Sequence, residues 1–288
     1  MSKNFEGALW ALGATVMFAI AIAMSKLAAQ DFHILEILFF RQAVIFCYVL
    51  PSIVRHFPTN LKTKHPIVHA FRLVGGFATL SISLWAVTFM PLTTVVVLLF
   101  SSVFFVSILA TIFLDEKIGI YRILSIVIGF AGVIIVVRPD FGSISDASSL
   151  VVLIAALGTA TAIICVRKLT QVDSTVTLLT YQALFVGLLS GVPMFWLWQT
   201  PSFSDFLFLI AIGVISTAAQ WVAIHALRLG EASLISALRY TEIIYATALG
   251  FWLFDELPDV YTLGGATLII ASALFMIQRE KIKSQNTA

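Results

Sequence analysis

Ten long apolar stretches follow one another along the 288 residues of this chain, and most of the connections between them are short. The hydrocarbon core of a bilayer is about 30 Å thick, so a helix that rises about 1.5 Å per residue needs roughly 20 apolar residues to cross it. Each stretch meets or approaches that length. We predict spans at Phe5–Ala28, Ile34–Val54, Ile67–Phe89, Leu92–Leu114, Tyr121–Val137, Leu150–Val166, Thr175–Trp198, Phe206–Leu227, Ala232–Phe254 and Tyr261–Ile277.

The composition requires a membrane environment. Hydrophobic residues make up 60% of the chain and charged residues 11%, whereas soluble domains carry about 25% charged residues. Backbone polar groups in lipid need partners within the protein, so the stretches are predicted to be helices; a β-barrel would show alternating segments of about ten residues. Because nine spans follow the first, we expect it to be a retained helix rather than a signal peptide. We therefore predict an all-α integral membrane protein with ten transmembrane helices.

Basic residues predict the orientation of these helices. If the N-terminus is cytoplasmic and the number of spans is even, the outer face receives only Lys26 and Arg138, while Arg41 and Arg239 lie within spans. The inner face receives thirteen: Lys3, Arg55, Lys62, Lys64, Arg72, Lys117, Arg122, Arg167, Lys168, Arg228, Arg279, Lys281 and Lys283. Basic residues favour the cytoplasmic side. We therefore predict a multi-pass protein of the cytoplasmic (inner) membrane with both termini in the cytoplasm, and we expect no nucleic-acid partner.

The chain contains two related halves. The signature Leu114–Glu116 returns in similar form as Phe254–Glu256, 140 positions later. Each half holds five spans, and an odd number makes the second half enter the membrane from the opposite side. We predict one five-helix repeat at residues 1–141 and a second, inverted repeat with a cytoplasmic tail at residues 142–288.

Inverted repeats are typical of secondary transporters, in which the substrate binds near the midplane and relative motion of the halves gives alternating access. We expect the halves to rock around a cavity lined by spans three, four, eight and nine. The sequence contains no Walker-type phosphate loop, which disfavours an ATP-driven pump.

Several short motifs, in this order and spacing, resemble a known superfamily. They are the run Glu36–Arg41 in span two, the turn Leu114–Glu116, the small-residue run Gly129–Val133 in span five, and Leu238–Glu242 continuing to Asp255-Glu256 in the second half. Together they resemble the drug/metabolite transporter superfamily in its ten-helix EamA-type branch. The resemblance covers essentially the whole chain. The subgroup that it most resembles includes S-adenosylmethionine and riboflavin uptake carriers, and other branches export amino acids.

The resemblance and the repeat together predict a secondary active transporter of a small polar organic metabolite. An amino acid, or a compound derived from an amino acid or nucleoside such as S-adenosylmethionine, is the expected substrate; riboflavin or another vitamin, and amino-acid export, are the alternatives. Proton coupling and solute exchange both remain open, as does direction. We expect a lipid-embedded monomer or weak homodimer with no cofactor and no metal.

Span nine carries the richest set of polar residues. Arg239, Glu242 and Tyr245 recur every three residues and so share one broad helix face. Charged groups inside a membrane are costly and usually face a cavity or each other. In the functional interpretation Glu242 binds a cationic or amino group, or a proton, and Arg239 binds a carboxylate. In the alternative interpretation the two form a structural ion pair.

Spans three and eight place aromatic and polar groups on corresponding faces. Trp221 and His225 are four residues apart in span eight. Their repeat counterparts in span three are Ser81 and Trp85. We predict that Trp85, Ser81 and Trp221 line the cavity, where an indole could stack on a planar or cationic group. His225 is a candidate proton shuttle. Ordinary helix packing is the alternative for the tryptophans, and a packed histidine is the alternative for His225.

Two further residues complete the predicted site. Arg41 lies about two turns inside the outer end of span two. In one interpretation it snorkels to the interface or binds backbone carbonyls; in the other it pairs with an acidic group or attracts an anionic substrate. Ser102 in span four is the repeat counterpart of Glu242. Arg41, Arg239 and Glu242 have a summed charge of +1, which favours a substrate with an acidic group if all three are ionised and face the cavity.

Two other classes of protein are disfavoured. An intramembrane enzyme would need a catalytic constellation, and the sequence shows no His-Glu-x-x-His run and no nucleophile elbow. A channel would need a selectivity filter or a ring of charge, and neither is visible in the sequence.

Overall fold

The computed structural model describes residues 3–55, 62–113, 120–137, 144–230, 235, 238–239 and 241–285. The first-half signature Leu114–Glu116 lies outside these ranges, as do the basic residues Lys117 and Arg138. Twelve helices are described: α1 Lys3–Ala28, α2 Ile34–Arg55, α3 Pro66–Val87, α4 Leu92–Leu99, α5 Ser102–Phe113, α6 Ile120–Val137, α7 Ile144–Leu169, α8 Thr175–Gly191, α9 Met194–Leu197, α10 Phe203–Leu229, α11 Thr241–Phe254 and α12 Val260–Gln285.

The predicted all-α membrane fold is confirmed. Six segments are long and apolar enough to cross a bilayer, namely Glu6–Ala28, Ile34–Arg55, Pro66–Val87, Leu92–Phe113, Ser148–Leu169 and Phe203–Leu229. Four shorter apolar helices, Val127–Val136, Thr175–Gly191, Thr241–Phe254 and Val260–Ser272, occupy the positions of predicted spans five, seven, nine and ten. The count of ten crossings stays a prediction.

The packing of the helices follows the internal repeat. The offset of 140 residues relates α1 to α7, α2 to α8, α3 to α10, α4 with α5 to α11, and α6 to α12. The most extensive pairings are α1 with α10, α3 with α7, α6 with α12 and α2 with α8. Exchanging the two halves converts the first of these pairings into the second and leaves the other two unchanged. This is the set of pairings expected if an approximate two-fold axis relates the two halves.

Glycines let two of these pairs approach closely. A Cβ atom on Gly75 of α3 would lie 2.6 Å from the carbonyl oxygen of Gly158 in α7, and one on Gly265 of α12 would lie 2.6 Å from that of Gly132 in α6. No side chain fits at such distances. Small residues support close helix packing in membranes. Gly132, which belongs to the small-residue run Gly129–Val133, therefore packs against another helix of the same chain.

Spans four and nine are interrupted, although the sequence predicted each as one continuous helix. In span four, Phe100 and Ser101 form a turn between α4 and α5. In span nine, Arg239 lies in a turn and α11 begins at Thr241. At both breaks the backbone forms a tight turn closed by a hydrogen bond between residues three apart. Ser101 N donates to Leu98 O at 3.1 Å, and Glu242 N donates to Arg239 O at 2.9 Å. Ser101 and Thr241 are 140 residues apart, so the two breaks are repeat equivalents.

The bundle has two distinguishable ends. Gly7, near the start of α1, lies against the backbone of Gly230 just after α10, and Arg228 at the end of α10 donates to the carbonyl oxygen of Asp173 at 3.3 Å. We call this the Asp173 end. Lys26 lies in the last turn of α1, about 30 Å away along a helix axis with a rise of about 1.5 Å per residue, and marks the Lys26 end.

Candidate substrate site

A cavity of about 220 Å³ lies among residues of both halves. The first half contributes α1 to α4, and the second contributes α7, α8, α10, α11 and the residues just before α11. The wall is mostly apolar, as in other small-molecule sites. Its polar lining residues are Thr15, Arg41, Arg72, Thr79, Ser83, Thr159, Gln182, Gln220, Arg239 and Glu242. The prediction that spans three, four, eight and nine line the cavity was too narrow, because spans one, two, six and seven also contribute.

Arg239 and Glu242 lie together on the cavity wall at the break in span nine. Glu242 is buried, with 7% of its surface exposed, and its Oε2 lies 3.6 Å from Nη2 of Arg239. Among the described residues, none donates a hydrogen bond to that oxygen. Glu242 stands in the first turn of α11, where the helix dipole stabilises a negative charge. The guanidinium of Arg239 lies over the ring of Phe18, 6.0 Å from its centroid.

Arg72 is a cavity residue that the sequence analysis placed on the inner face. It is buried, with 4% of its surface exposed, and both ends of its guanidinium are bound. Nη1 donates to the carbonyl oxygen of Leu178 and Nη2 donates to Oε1 of Gln182, each at 3.0 Å. The sequence could have indicated this position, because the predicted span Ile67–Phe89 contains Arg72. The inner face consequently loses one of its thirteen predicted basic residues, and the asymmetry remains large.

Arg41 also lines the cavity. Only 7% of its surface is exposed, and its Nε is buried without a hydrogen-bond partner. Within the described part of the chain, no hydrogen bond or ion pair joins its guanidinium to another residue. The alternative in which Arg41 snorkels to the interface or binds backbone carbonyls is therefore not the arrangement seen.

Threonine hydroxyls complete the polar part of the wall and were not predicted. Thr79 of α3 donates to the carbonyl oxygen of Ala155 at 3.0 Å and lies 3.1 Å from the hydroxyl of Thr159 in α7. Thr15 of α1 lies 3.1 Å from the hydroxyl of Thr241. Single threonines in apolar helices carry no distinctive pattern, so only the packing could identify these contacts.

The predicted residues of span eight lie behind the cavity wall. The rings of Trp221 and His225 stack, with centroids 5.3 Å apart and planes 4° apart. Trp10 of α1 packs edge-on against both, at 5.9 Å and 5.1 Å. Neither Trp221 nor His225 lines the cavity. Both rings therefore pack against Trp10 beside the cavity, and their roles in transport stay predictions.

Four other predicted residues also lie outside the cavity lining. Trp85 is 38% exposed and packs against Phe89 with ring centroids 4.6 Å apart. Ser81 and Tyr245 are partly buried, and Ser102 is buried beside the break in span four. Trp85, Ser81 and Tyr245 share helices with cavity residues, whereas Ser102 begins α5, which contributes no residue to the cavity lining. Arg41, Arg239 and Glu242 are thus the predicted site residues that the structure brings together.

The family of the chain follows from comparison with known proteins. The EamA-like transporter family matches residues 5–138 and again residues 147–278. This chain belongs to the EamA-like transporter family. It is therefore a membrane transporter of the drug/metabolite transporter superfamily, as the motifs of the sequence predicted.

Individual EamA-like relatives are similar along their whole length. The S-adenosylmethionine uptake transporter of Rickettsia felis is 30% identical over 281 residues, which cover 98% of this chain and 95% of the relative. The riboflavin transporter of Vibrio cholerae is 28% identical over 291 residues, covering 97% and 95%. A solved crystal structure matches with a TM-score of 0.70 at 14% identity, over 94% of this chain and 96% of that one, and shares the fold.

Membership in the EamA-like family agrees with the geometry of the site. The chain is embedded in a membrane as a multi-pass transporter, and its partner is a small molecule. The cavity lies among residues of the two matched segments.

Proposed function

We propose that this protein carries a small polar organic metabolite across the cytoplasmic membrane by alternating access between two inverted repeats, residues 1–141 and 142–288. The observation that carries the proposal is the Arg239–Glu242 pair on the wall of a cavity lined by both halves. Two charged groups inside a membrane are expensive to bury. A polar substrate that binds them repays that cost.

The cavity favours a substrate with charges of both signs. Its lining holds three guanidinium groups and one carboxylate, Arg41, Arg72, Arg239 and Glu242. Glu242 suits an amino or other cationic group, and the arginines suit an acidic group. Amino acids and compounds derived from them, such as S-adenosylmethionine, carry both. The similarity to S-adenosylmethionine uptake transporters makes that compound the first to test. Riboflavin or another vitamin, and amino-acid export, are the alternatives.

The orientation proposed here puts both termini and the Asp173 end in the cytoplasm and the Lys26 end outside. The asymmetry of basic residues supports it. Arg55, Lys62, Arg167 and Arg228 belong to the helix ends and connections of the cytoplasmic side in this orientation. We propose a monomer or weak homodimer, because the cavity forms among residues of a single chain.

Counterflow in liposomes tests the proposal. Purified protein is reconstituted into vesicles preloaded with one unlabelled compound, and uptake of the same labelled compound is followed for amino acids, S-adenosylmethionine and riboflavin. We expect trans-stimulated uptake of at least one compound with both an amino and an acidic group. Absence of counterflow for every compound of a broad panel would overturn the proposal.

The role of Glu242 is tested by replacing it with an isosteric neutral residue. If Glu242 couples transport to protons, Glu242→Gln abolishes uptake driven by a pH gradient and leaves counterflow intact. Glu36→Gln is the matched control: Glu36 is also buried in a span, but it lies outside the cavity and accepts a hydrogen bond from Gln199 N at 3.3 Å. Equal pH-driven uptake by wild type and Glu242→Gln would assign coupling to another residue, and no pH-driven uptake by wild type would exclude proton coupling.

A further inference from the structure

The three arginines of the cavity are not equivalent, and the difference bears on which substrates are accepted. The guanidinium of Arg72 is held by Leu178 O and by Gln182 Oε1. The positive charge of Arg239 is partly offset by the carboxylate of Glu242, whose Oε2 lies 3.6 Å from Nη2 of Arg239. Arg41 has no such partner among the residues that the structure describes: its Nε is buried and unbound there, and 93% of its surface is shielded from solvent.

An unpaired guanidinium at that depth is unstable unless something binds it. Burying a charge without a partner is costly, and the fork of an arginine matches a carboxylate or phosphate with two parallel hydrogen bonds. A second cation in the same cavity, Arg72, makes a neutral or purely cationic ligand a poor match. Since Arg41 faces the cavity and no described residue supplies an anion to it, the missing partner is a group of the substrate.

We propose that Arg41 is the specificity-determining residue that binds an acidic group of the substrate, so that transported compounds carry a carboxylate or a similar anion. This deepens the proposed function and rests on it. Glu242, at the break in span nine, then serves the cationic end of the same molecule. The guanidinium of Arg72, already bound by α8, shapes the wall and adds positive potential.

Paired compounds that differ only in the acidic group test this assignment. Counterflow is measured for methionine against methioninamide, for S-adenosylmethionine against its decarboxylated form, and for riboflavin, in wild type, Arg41→Gln and Arg41→Lys. Loss of a charge-assisted hydrogen bond predicts that Arg41→Gln lowers transport of the acidic member by about 10- to 100-fold and leaves the other member unchanged. Arg41→Lys restores part of the difference. Arg55→Gln, on the exposed end of the same helix, is the control and behaves as wild type.

Each outcome separates this inference from the proposed function. Equal transport of both members of a pair, or an equal loss of both in Arg41→Gln, overturns the role of Arg41 and leaves the transporter standing. Transport of riboflavin alone would also overturn the role of Arg41 and leave the transporter standing, because riboflavin has no carboxylate. Absence of counterflow for every compound overturns the proposed function itself. Thermal unfolding of each variant in detergent shows whether a loss reflects misfolding.

A second inference comes from a separate feature at the Lys26 end. There one carboxylate joins three elements of the two halves. Lys26 of α1 forms an ion pair with Glu256, and its Nζ also donates to the carbonyl oxygen of Met90 at 3.2 Å. The other carboxylate oxygen of Glu256 accepts from the backbone N–H of Leu92, the first residue of α4, at 2.8 Å.

The turn after α11 directs Glu256 toward these partners. Asp255 has a φ of 53°, the left-handed conformation that aspartate tolerates better than most residues. Its N–H donates to Phe251 O at 3.2 Å, and that of Glu256 donates to Gly250 O at 3.1 Å. The first of these bonds, from the residue in the left-handed conformation to the carbonyl four residues earlier, is that of the αL type of helix C-cap. The chain therefore reverses at Asp255, and Glu256 folds back beside Lys26.

The Asp173 end carries a repeat-related cation. The offset of 140 relates Met90 to Gly230, and it places the counterpart of Lys26 directly before Arg167. Nη1 of Arg167 donates to the carbonyl oxygens of Gly230 and Leu227, each at 2.8 Å. In both halves a basic residue thus binds the backbone at an equivalent turn. The counterpart of Glu256 is Glu116, which lies outside the described residues.

We infer that the Lys26–Glu256 pair closes the cavity on the Lys26 side and separates when that side opens. Access is measured as the rate at which a membrane-impermeant maleimide labels Ala21→Cys, a cavity position, in a background without Cys47 and Cys165. We expect Lys26→Met and Glu256→Gln to raise the rate from the Lys26 side by about 5-fold or more. The charge swap Lys26→Glu with Glu256→Lys restores slow labelling.

Lys62→Met, which removes an exposed lysine near the Asp173 end, is the control and leaves the rate unchanged. Two results would overturn the closing role. One is an unchanged labelling rate in both Lys26→Met and Glu256→Gln; the other is an equally faster labelling rate from both sides of the membrane. This result is independent of substrate identity, because the readout is access and not transport.

Discussion

The breaks in spans four and nine share a backbone and differ in chemistry. In span four the residues are Leu99 and Ser102, and in span nine the residues 140 positions later are Arg239 and Glu242. Ser102 is buried and lies outside the cavity lining, whereas both residues of the second break reach the cavity. The two halves thus repeat the interrupted helix, but only the second equips it with charge. We infer that the repeat supplies the scaffold and that, of the two breaks, only the second supplies charged contacts to the substrate.

The largest effect is expected when the second break is converted into a copy of the first. The double variant Arg239→Leu with Glu242→Ser removes both charges and leaves neither unpaired. We expect counterflow to fall by about 100-fold or more, because two charged contacts to the substrate are lost. Thermal unfolding should change little, since removing both members of a buried pair is often nearly neutral. Counterflow above a tenth of the wild-type rate would contradict the division of roles.

The single variant Arg239→Leu tests whether the charged pair at the second break also contributes to stability. It leaves Glu242 without its neighbour, so we expect it to unfold at a lower temperature than either wild type or the double variant. Breaking a fully buried pair costs about 3–5 kcal/mol; the cost here should be smaller, since 30% of the Arg239 side chain is exposed. Size-exclusion profiles after heating measure the order of the three proteins. A single variant as stable as wild type would argue that the pair contributes nothing to the fold.

The contact between Thr15 and Thr241 tests how α1 holds the second break. Their hydroxyls are 3.1 Å apart, and Thr241 also donates to Leu238 O at 2.8 Å. A double-mutant cycle with Thr15→Val and Thr241→Val should show a coupling of about 0.5–1.5 kcal/mol in unfolding free energy. Strictly additive losses would mean that the two hydroxyls act independently.

The smallest effect is expected at the first break. Ser102→Ala removes a hydroxyl that does not reach the cavity, so unfolding should change by less than about 0.5 kcal/mol and counterflow by less than about two-fold. Phe100→Ala in the same turn is a steric comparison, because Phe100 is 3% exposed and belongs to the core. A large transport loss in Ser102→Ala with normal stability would return Ser102 to the substrate site, where the sequence analysis had placed it.

The membrane fold could be predicted because it depends on properties that the sequence displays directly. Span length, apolar composition and an odd number of spans per half predict helices and an inverted repeat without any knowledge of contacts. Arg239 and Glu242 were also accessible, because three residues in one helix bring two side chains to one face whatever surrounds that helix. The helix break between Arg239 and Glu242, and its equivalent in span four, could not be predicted, since no proline or glycine lies at Phe100, Ser101 or Thr241.

The tertiary structure alone decided which polar residues meet. Helix periodicity states which residues share a face, but the face that turns toward the cavity depends on neighbouring helices. Close contact at Gly75 and Gly158 fixes how α3 rotates against α7, and the same helix exposes Trp85 and directs Arg72 inward. Sequence determined the scaffold and one charged pair. Packing, which depends on residues far apart in the chain, assembled the site.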